Sequence, residues 1–99
     1  MTPATLLAST TPVLLHFYKE GCAASRLMSR SLQQLNAEED LRYQLLKVNY
    51  TEEEAFAKAF EVSDAPETLL VMNGAVVYRQ FGIVKADVLQ EQIDIHLNS

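Results

Sequence analysis

The chain has a single cysteine in its 99 residues. One thiol cannot close an internal disulfide, so a small fold stapled by disulfides is excluded. The two histidines, His16 and His96, are far apart in sequence, and no Cys/His cluster has metal-ligand spacing; neither a metal nor a cofactor is expected. Bases are scarce, with 8 Lys and Arg against 13 Asp and Glu and a formal net charge of -5. That balance argues against counterion-driven nucleic-acid binding and against attraction to an anionic membrane surface. No apolar run approaches the roughly 18 residues that span a bilayer, and Met1 to Leu15 lacks the basic n-region and long h-region of a secretory leader. The expectation is a soluble, unsecreted, cytoplasmic chain. With 48% of its residues hydrophobic, a chain of this length can bury roughly two thirds of its unfolded surface. That suffices for one domain, residues 1–99, and not for two.

The hydrophobic pattern alternates between helical and strand periods. Thr2 and Pro3 suit the start of a short helix over 3–9 anchored by Leu6 and Leu7. Val13 to Tyr18 (VLLHFY) is apolar on both faces, as a strand in the middle of a sheet must be. From Ala23 to about Asn36 the period is helical, with Leu27, Met28, Leu32 and Leu35 on one face and the acidic Glu38, Glu39 and Asp40 closing the segment. Tyr43 to Asn49 reads as a second strand, and Thr51 with Glu54 forms a capping-box pattern ahead of a helix carrying Phe56, Ala59 and Phe60. After the polar connection Val62 to Glu67 come two apolar runs joined by Asn73-Gly74, a strong hairpin signal because both central positions of a type I' turn need positive φ. Gly82 ends the hairpin, and Leu89, Ile93 and Leu97 mark a final helix over 85–97. The order α-β-α-β-α-β-β-α implies an α/β fold: one parallel pair, an antiparallel hairpin, and helices on both faces of a mixed sheet.

Cys22 falls between the buried strand and the following helix, with Gly21 before it to let the chain turn. Free N–H groups and the dipole at a helix N-terminus favour a thiolate, the species that attacks disulfides. Arg26 and Lys19 would strengthen the effect and Glu20 would oppose it. The plainer alternative is that a lone cysteine is a small buried hydrophobe.

From Val13 to Leu97 the chain resembles the thioredoxin family. VLLHFYKEGCAAS resembles its central strand and active-site turn, KVN at 47–49 its next strand, and DAPET at 64–68 the segment with its cis-proline; the Asn-Gly hairpin and Gly82 follow in order. The resemblance implies a thioredoxin-like fold with four strands, the first family strand being absent. It also implies a cis Ala65–Pro66 bond, with Pro66 against the active-site turn. The substrate groove would then run along Gly21, Ala23, Ala65, Pro66 and Glu67. Glu67 stands where threonine is common; it either sets a negative charge beside the groove or is a solvated loop carboxylate. Asp64 and Lys47 are read as solvated or rim charges.

Three departures bear on function. Where the family has C-x-x-C, this chain has Cys22-Ala23-Ala24-Ser25, and the Ser25 hydroxyl cannot resolve a mixed disulfide on Cys22. Gly21 replaces the usual tryptophan. His16 replaces a buried aspartate, as either a proton acceptor for Cys22 or a satisfied core imidazole. The reading that follows is thiol–disulfide exchange through Cys22, with an external thiol such as glutathione completing the cycle. The alternatives are a non-catalytic module binding a partner peptide beside Pro66, or a dithiol protein whose resolving cysteine has been replaced by Ser25. The iron–sulfur monothiol glutaredoxins are a weaker match, because the chain lacks C-G-F-S. Partners would be protein disulfides or a peptide, and the chain would be a monomer, with a dimer through Cys22 as the other option.

Overall fold

The computed structural model describes residues 2–35 and 39–98. Helix α1 (Pro3–Leu7) starts at Thr2, whose hydroxyl accepts the Thr5 N–H at 3.1 Å. Strand β1 (Val13–Tyr18), helix α2 (Ala23–Gln33), strand β2 (Gln44–Asn49), helix α3 (Glu54–Ala59), strands β3 (Glu67–Met72) and β4 (Ala75–Phe81), and helix α4 (Ala86–Leu97) follow. This is the element order that the hydrophobic periods imply. The four strands form one mixed sheet in the order β2-β1-β3-β4, with β1 parallel to β2 and antiparallel to β3.

Strand alternation sorts the core into two layers. On one face Leu15, Phe17, Val48, Leu69 and Val71 pack with Leu6 of α1 and with Phe56 and Phe60 around α3. On the other, Leu14 and Leu70 pack with Met28 and Leu32 of α2 and with Leu89 and Ile93 of α4. Because β1 is buried on both sides, its apolar run has almost no polar interruption. The exception is His16, which lies on the α2/α4 face, opposite Thr68 of β3 and Lys47 of β2. The hairpin closes through Asn73 (φ 51°) and Gly74 (φ 78°), the two positive-φ residues of a type I' turn.

Three local expectations are corrected. Leu27 is exposed: the buried stripe of α2 is Ser25, Met28 and Leu32, continued by Leu35 beyond the helix end, and Leu27 falls outside this stripe. Thr51 and Glu54 form no capping box. Instead the Asn49 carboxamide oxygen accepts the Thr51 N–H at 3.0 Å, making an Asx turn, and α3 begins at Glu54 with no side-chain cap. The buried alanine of α3 is Ala57, Ala59 being exposed. The expected end of α2 at Asn36 and the role of Glu38 fall outside the described residues.

Candidate functional site

The site forms where β1 leaves the sheet. Gly21 takes φ +69° with open space around its Cα, which lets the chain turn from β1 into α2 within a few residues. Cys22 is the N-cap of α2 in extended conformation; its carbonyl accepts the Arg26 N–H at 3.1 Å, and its own side chain caps nothing. The thiol is therefore half-buried at the lip of the helix and in no disulfide.

Several groups around it favour the thiolate. The Ser25 hydroxyl contributes most, followed by the Ser25 backbone N–H, the Ala24 N–H and the charge of Lys19; together they outweigh desolvation and hold the thiol below its ordinary range. The cation acting here is Lys19; Arg26, expected to help, takes no part. Ser25 is almost fully buried, and its oxygen accepts the Lys19 N–H at 3.0 Å. With a lone pair so engaged, its hydroxyl hydrogen is free to turn to the sulfur.

The second wall comes from the loop before β3. The register pairs Phe17 of β1 with Glu67 of β3, so the residues just beyond Phe17 run beside Pro66 and Ala65. Two contacts tie this loop to the site: the Lys19 ammonium meets Asp64 at 2.6 Å, and the Tyr50 hydroxyl donates to the Ser63 carbonyl at 2.8 Å. Asp64 also accepts the Ala65 N–H at 2.9 Å. The Ala65–Pro66 bond is cis, both residues are buried, and the Pro66 carbonyl accepts the Gly82 N–H at 2.9 Å. Asp64 is an exposed rim charge, as expected, and there it joins the two walls through Lys19, a pairing across 45 residues that no local pattern announces. Ala23 and Gly21 are exposed beside the thiol.

Glu67 does not place a free charge beside the groove. It is buried as the first residue of β3, on the face away from α2, and its carboxylate is ion-paired with Arg79 of β4. The same guanidinium donates to the Phe60 carbonyl at 2.7 Å, pinning the end of α3 to the hairpin. His16 is completely buried; its Nδ1 lies 3.3 Å from the Thr68 hydroxyl and its Nε2 has no partner. Burial, reinforced by the charge of Lys47, lowers its pKa to about 4, so the ring is a neutral imidazole near pH 7. It makes no hydrogen bond to Cys22 or Ser25. Among the described residues no group of side chains could hold a metal ion, and no helix is long and apolar enough to cross a membrane.

The comparisons with known proteins agree with this geometry. The family profile described as Thioredoxin matches residues 3–95. A thioredoxin-like protein of Synechocystis sp. is 27% identical over 91% of this chain and 86% of its own length. Thioredoxin C-2 of Corynebacterium nephridii is 30% identical over 92% and 84%. Among solved structures, Trxlp from Edwardsiella tarda superposes with a TM-score of 0.79 at 28% identity, over 90% of this chain and 87% of that one. The malaria parasite's thioredoxin-2 gives 0.79 at 28% identity, over 87% and 84%. A match that runs through nearly every element of the fold, with the lone thiol at the strand-to-helix turn, makes this chain a member of the thioredoxin family, the thiol–disulfide exchange fold.

Proposed function

We propose that the protein performs thiol–disulfide exchange through Cys22 alone, with an external thiol of the glutathione type completing each cycle. The Cys22 thiolate attacks one sulfur of a protein disulfide or of a glutathione adduct. A Cys22 mixed disulfide forms, the original S–S bond breaks, and the departing sulfur leaves as a thiolate that takes a proton from solvent. A glutathione thiolate then attacks the mixed disulfide and frees Cys22. Where Cys22 carries glutathione, the by-product is oxidised glutathione, formed from the adduct's glutathione and the incoming one. Where Cys22 carries the substrate's sulfur, that sulfur leaves as a mixed disulfide with glutathione, which a second glutathione thiolate reduces with release of oxidised glutathione.

The observation that carries this reading is the position of Cys22: half-exposed, at a helix start, with its thiolate supported by Ser25 while the chain holds no second cysteine. Ser25 sits one helical turn on, where it supports the thiolate and cannot resolve a disulfide. Gly21 and Ala23 leave open space beside the sulfur for a substrate backbone, and the Pro66 loop forms the opposite wall. His16 takes no direct part; as a neutral imidazole inside the sheet it is a core residue.

The test is intact-mass measurement after oxidised glutathione and then reduced glutathione, with a pH titration of thiolate absorbance alongside. One glutathionyl group should add to Cys22 and be removed by the reduced thiol, and the thiol should titrate below an unstructured cysteine peptide. A pKa at or above that of the peptide, or an adduct that reduced glutathione leaves in place, would overturn the proposal in favour of a binding module.

A further inference from the structure

Strand β2 is one edge of the sheet, and its outer side faces no other strand among the described residues. The Gln44 N–H bonds to the Pro12 carbonyl at 2.9 Å and the Tyr50 N–H to the Tyr18 carbonyl at 2.8 Å. Even-numbered residues therefore turn their backbone polar groups toward β1, and Leu45 and Lys47 turn theirs outward. An exposed row of this kind is a template for another strand. At its far end the Asn49 carbonyl is already taken by the Glu53 N–H at 2.9 Å, so the open run is short and centred on Leu45 to Lys47.

A groove flanks this edge on each face of the sheet. One, of about 980 Å3, is walled by Tyr43, Leu45 and Lys47 together with Leu32 of α2. The other, of about 300 Å3, is walled by Leu46 and Val48 together with Phe56 of α3. Side chains of a strand point alternately to the two faces, so a strand laid along β2 would send successive side chains into the two grooves in turn. On the wall of the larger groove Tyr43 is 3% exposed, and its hydroxyl has no hydrogen-bond partner.

Charge selects the occupant. Glu39 lines the larger groove and Glu52 and Glu53 the smaller, Lys47 is the one cation on either wall among the described residues, and Asp40 is already held by Arg42 at 2.7 Å. A second copy of this chain would bring the same acids and the same net charge of -5 to the contact, which opposes self-pairing. The opposite edge, β4, is less suited, because a bulge between Leu70 and Val71 breaks its register with β3.

We propose that the outer edge of β2 takes up an extended segment of a partner protein as a further strand. That segment carries apolar side chains at alternate positions and basic residues at its ends. The site lies on a different part of the sheet from Cys22 and does not depend on the exchange chemistry.

The test uses two labelled decapeptides with alternating valine and threonine, one flanked by lysine pairs and the other by glutamate pairs. Binding is followed by fluorescence anisotropy and by amide NMR on the isotope-labelled protein. The lysine-flanked peptide should bind saturably and slow the hydrogen exchange of the Leu45 and Lys47 amides. The glutamate-flanked peptide should bind at least tenfold more weakly. Lys47→Pro removes an outward N–H without removing a bond to β1 and should weaken binding about tenfold. The exposed pair Glu52→Lys and Glu53→Lys should weaken the lysine-flanked peptide in the same direction, and it serves if the proline variant fails to fold. Equal binding of the two peptides, no saturable binding, shifts confined to the Cys22 turn, or a dimer of the protein protecting the same two amides would each overturn the proposal.

Discussion

Ser25→Ala tests whether one hydroxyl serves both the fold and the thiol. In the structure the Ser25 oxygen accepts the Lys19 N–H at 3.0 Å from a position only 3% exposed. It is also the foremost group holding the Cys22 thiol low. Alanine removes the acceptor and leaves a part-buried N–H unpaired, which costs about 1–3 kcal/mol. For a domain of this size each kcal/mol lowers Tm by about 4–8 °C, so calorimetry should register the loss directly. At the same time the thiol pKa should rise, though not to the value of a free cysteine. The Ser25 and Ala24 N–H groups and Lys19 still favour the thiolate. Alkylation by iodoacetamide near neutral pH should therefore slow. Above the titration range the two proteins should converge, because both thiols are then ionised and the higher-pKa thiolate is, if anything, the better nucleophile. A variant that kept both the wild-type Tm and the wild-type titration would refute the account of Ser25. One that lost stability but titrated unchanged would confine Ser25 to its bond with Lys19.

The remaining expectations concern the core, the turns and the missing resolving thiol. His16 titrates at about 4 in the fold against 6.5 unfolded, so its contribution is complete above 6.5 and is lost as pH falls toward 4. Over that window the unfolded chain binds the extra proton, and stability should drop by about 1.4 kcal/mol per pH unit, about 3 kcal/mol in all. Denaturant titrations at stepped pH should show this slope in the native protein and a much flatter one in His16→Leu; equal slopes would place the acid sensitivity elsewhere. Ser25→Cys should gain turnover of a disulfide substrate with a dithiol reductase as electron donor, since it supplies a resolving thiol one helical turn from Cys22. Equal turnover by the unaltered protein would contradict the single-thiol argument. Gly74→Ala should cost about 1–3 kcal/mol, because Gly74 has φ +78° and an added Cβ would lie 3.3 Å from the Leu7 carbonyl. Gly21→Ala meets no such contact and should cost less; the reverse ranking in urea melts would contradict the local geometry.

Some of this protein could be read from its residues in order. The β1 run VLLHFY, apolar on both faces, the Asn73-Gly74 turn, and the helical spacing of Met28 with Leu32 and of Leu89 with Ile93 each depend on neighbours a few positions away. Such periods report burial directly. The placement of Cys22 at a strand-to-helix turn was legible for the same reason, with Gly21 as its punctuation. Leu27 shows where the method stops: one helix position separates it from the buried Met28, and only the packing of α2 against the sheet decides which leucine faces the core.

The groups that act on the thiol, Ser25, Ala24 and Lys19, lie within three residues of it; contacts between segments remote in sequence settled which other charges are held away from it. Lys19 meets Asp64, Glu67 is buried against Arg79, and His16 lies between Thr68 and Lys47. No period or motif links these residues, because sheet register and loop closure bring them together only after the chain has folded. The charge of Glu67 is the clearest instance. A carboxylate beside Pro66 reads as a groove charge in the sequence, but strand alternation turns it to the opposite face, where Arg79 neutralises it. Residue type and local period thus determined the elements and the place of the lone thiol at the start of α2. The tertiary structure decided which charges the thiol feels, because electrostatic influence depends on distance and burial, and neither is a property of the linear chain.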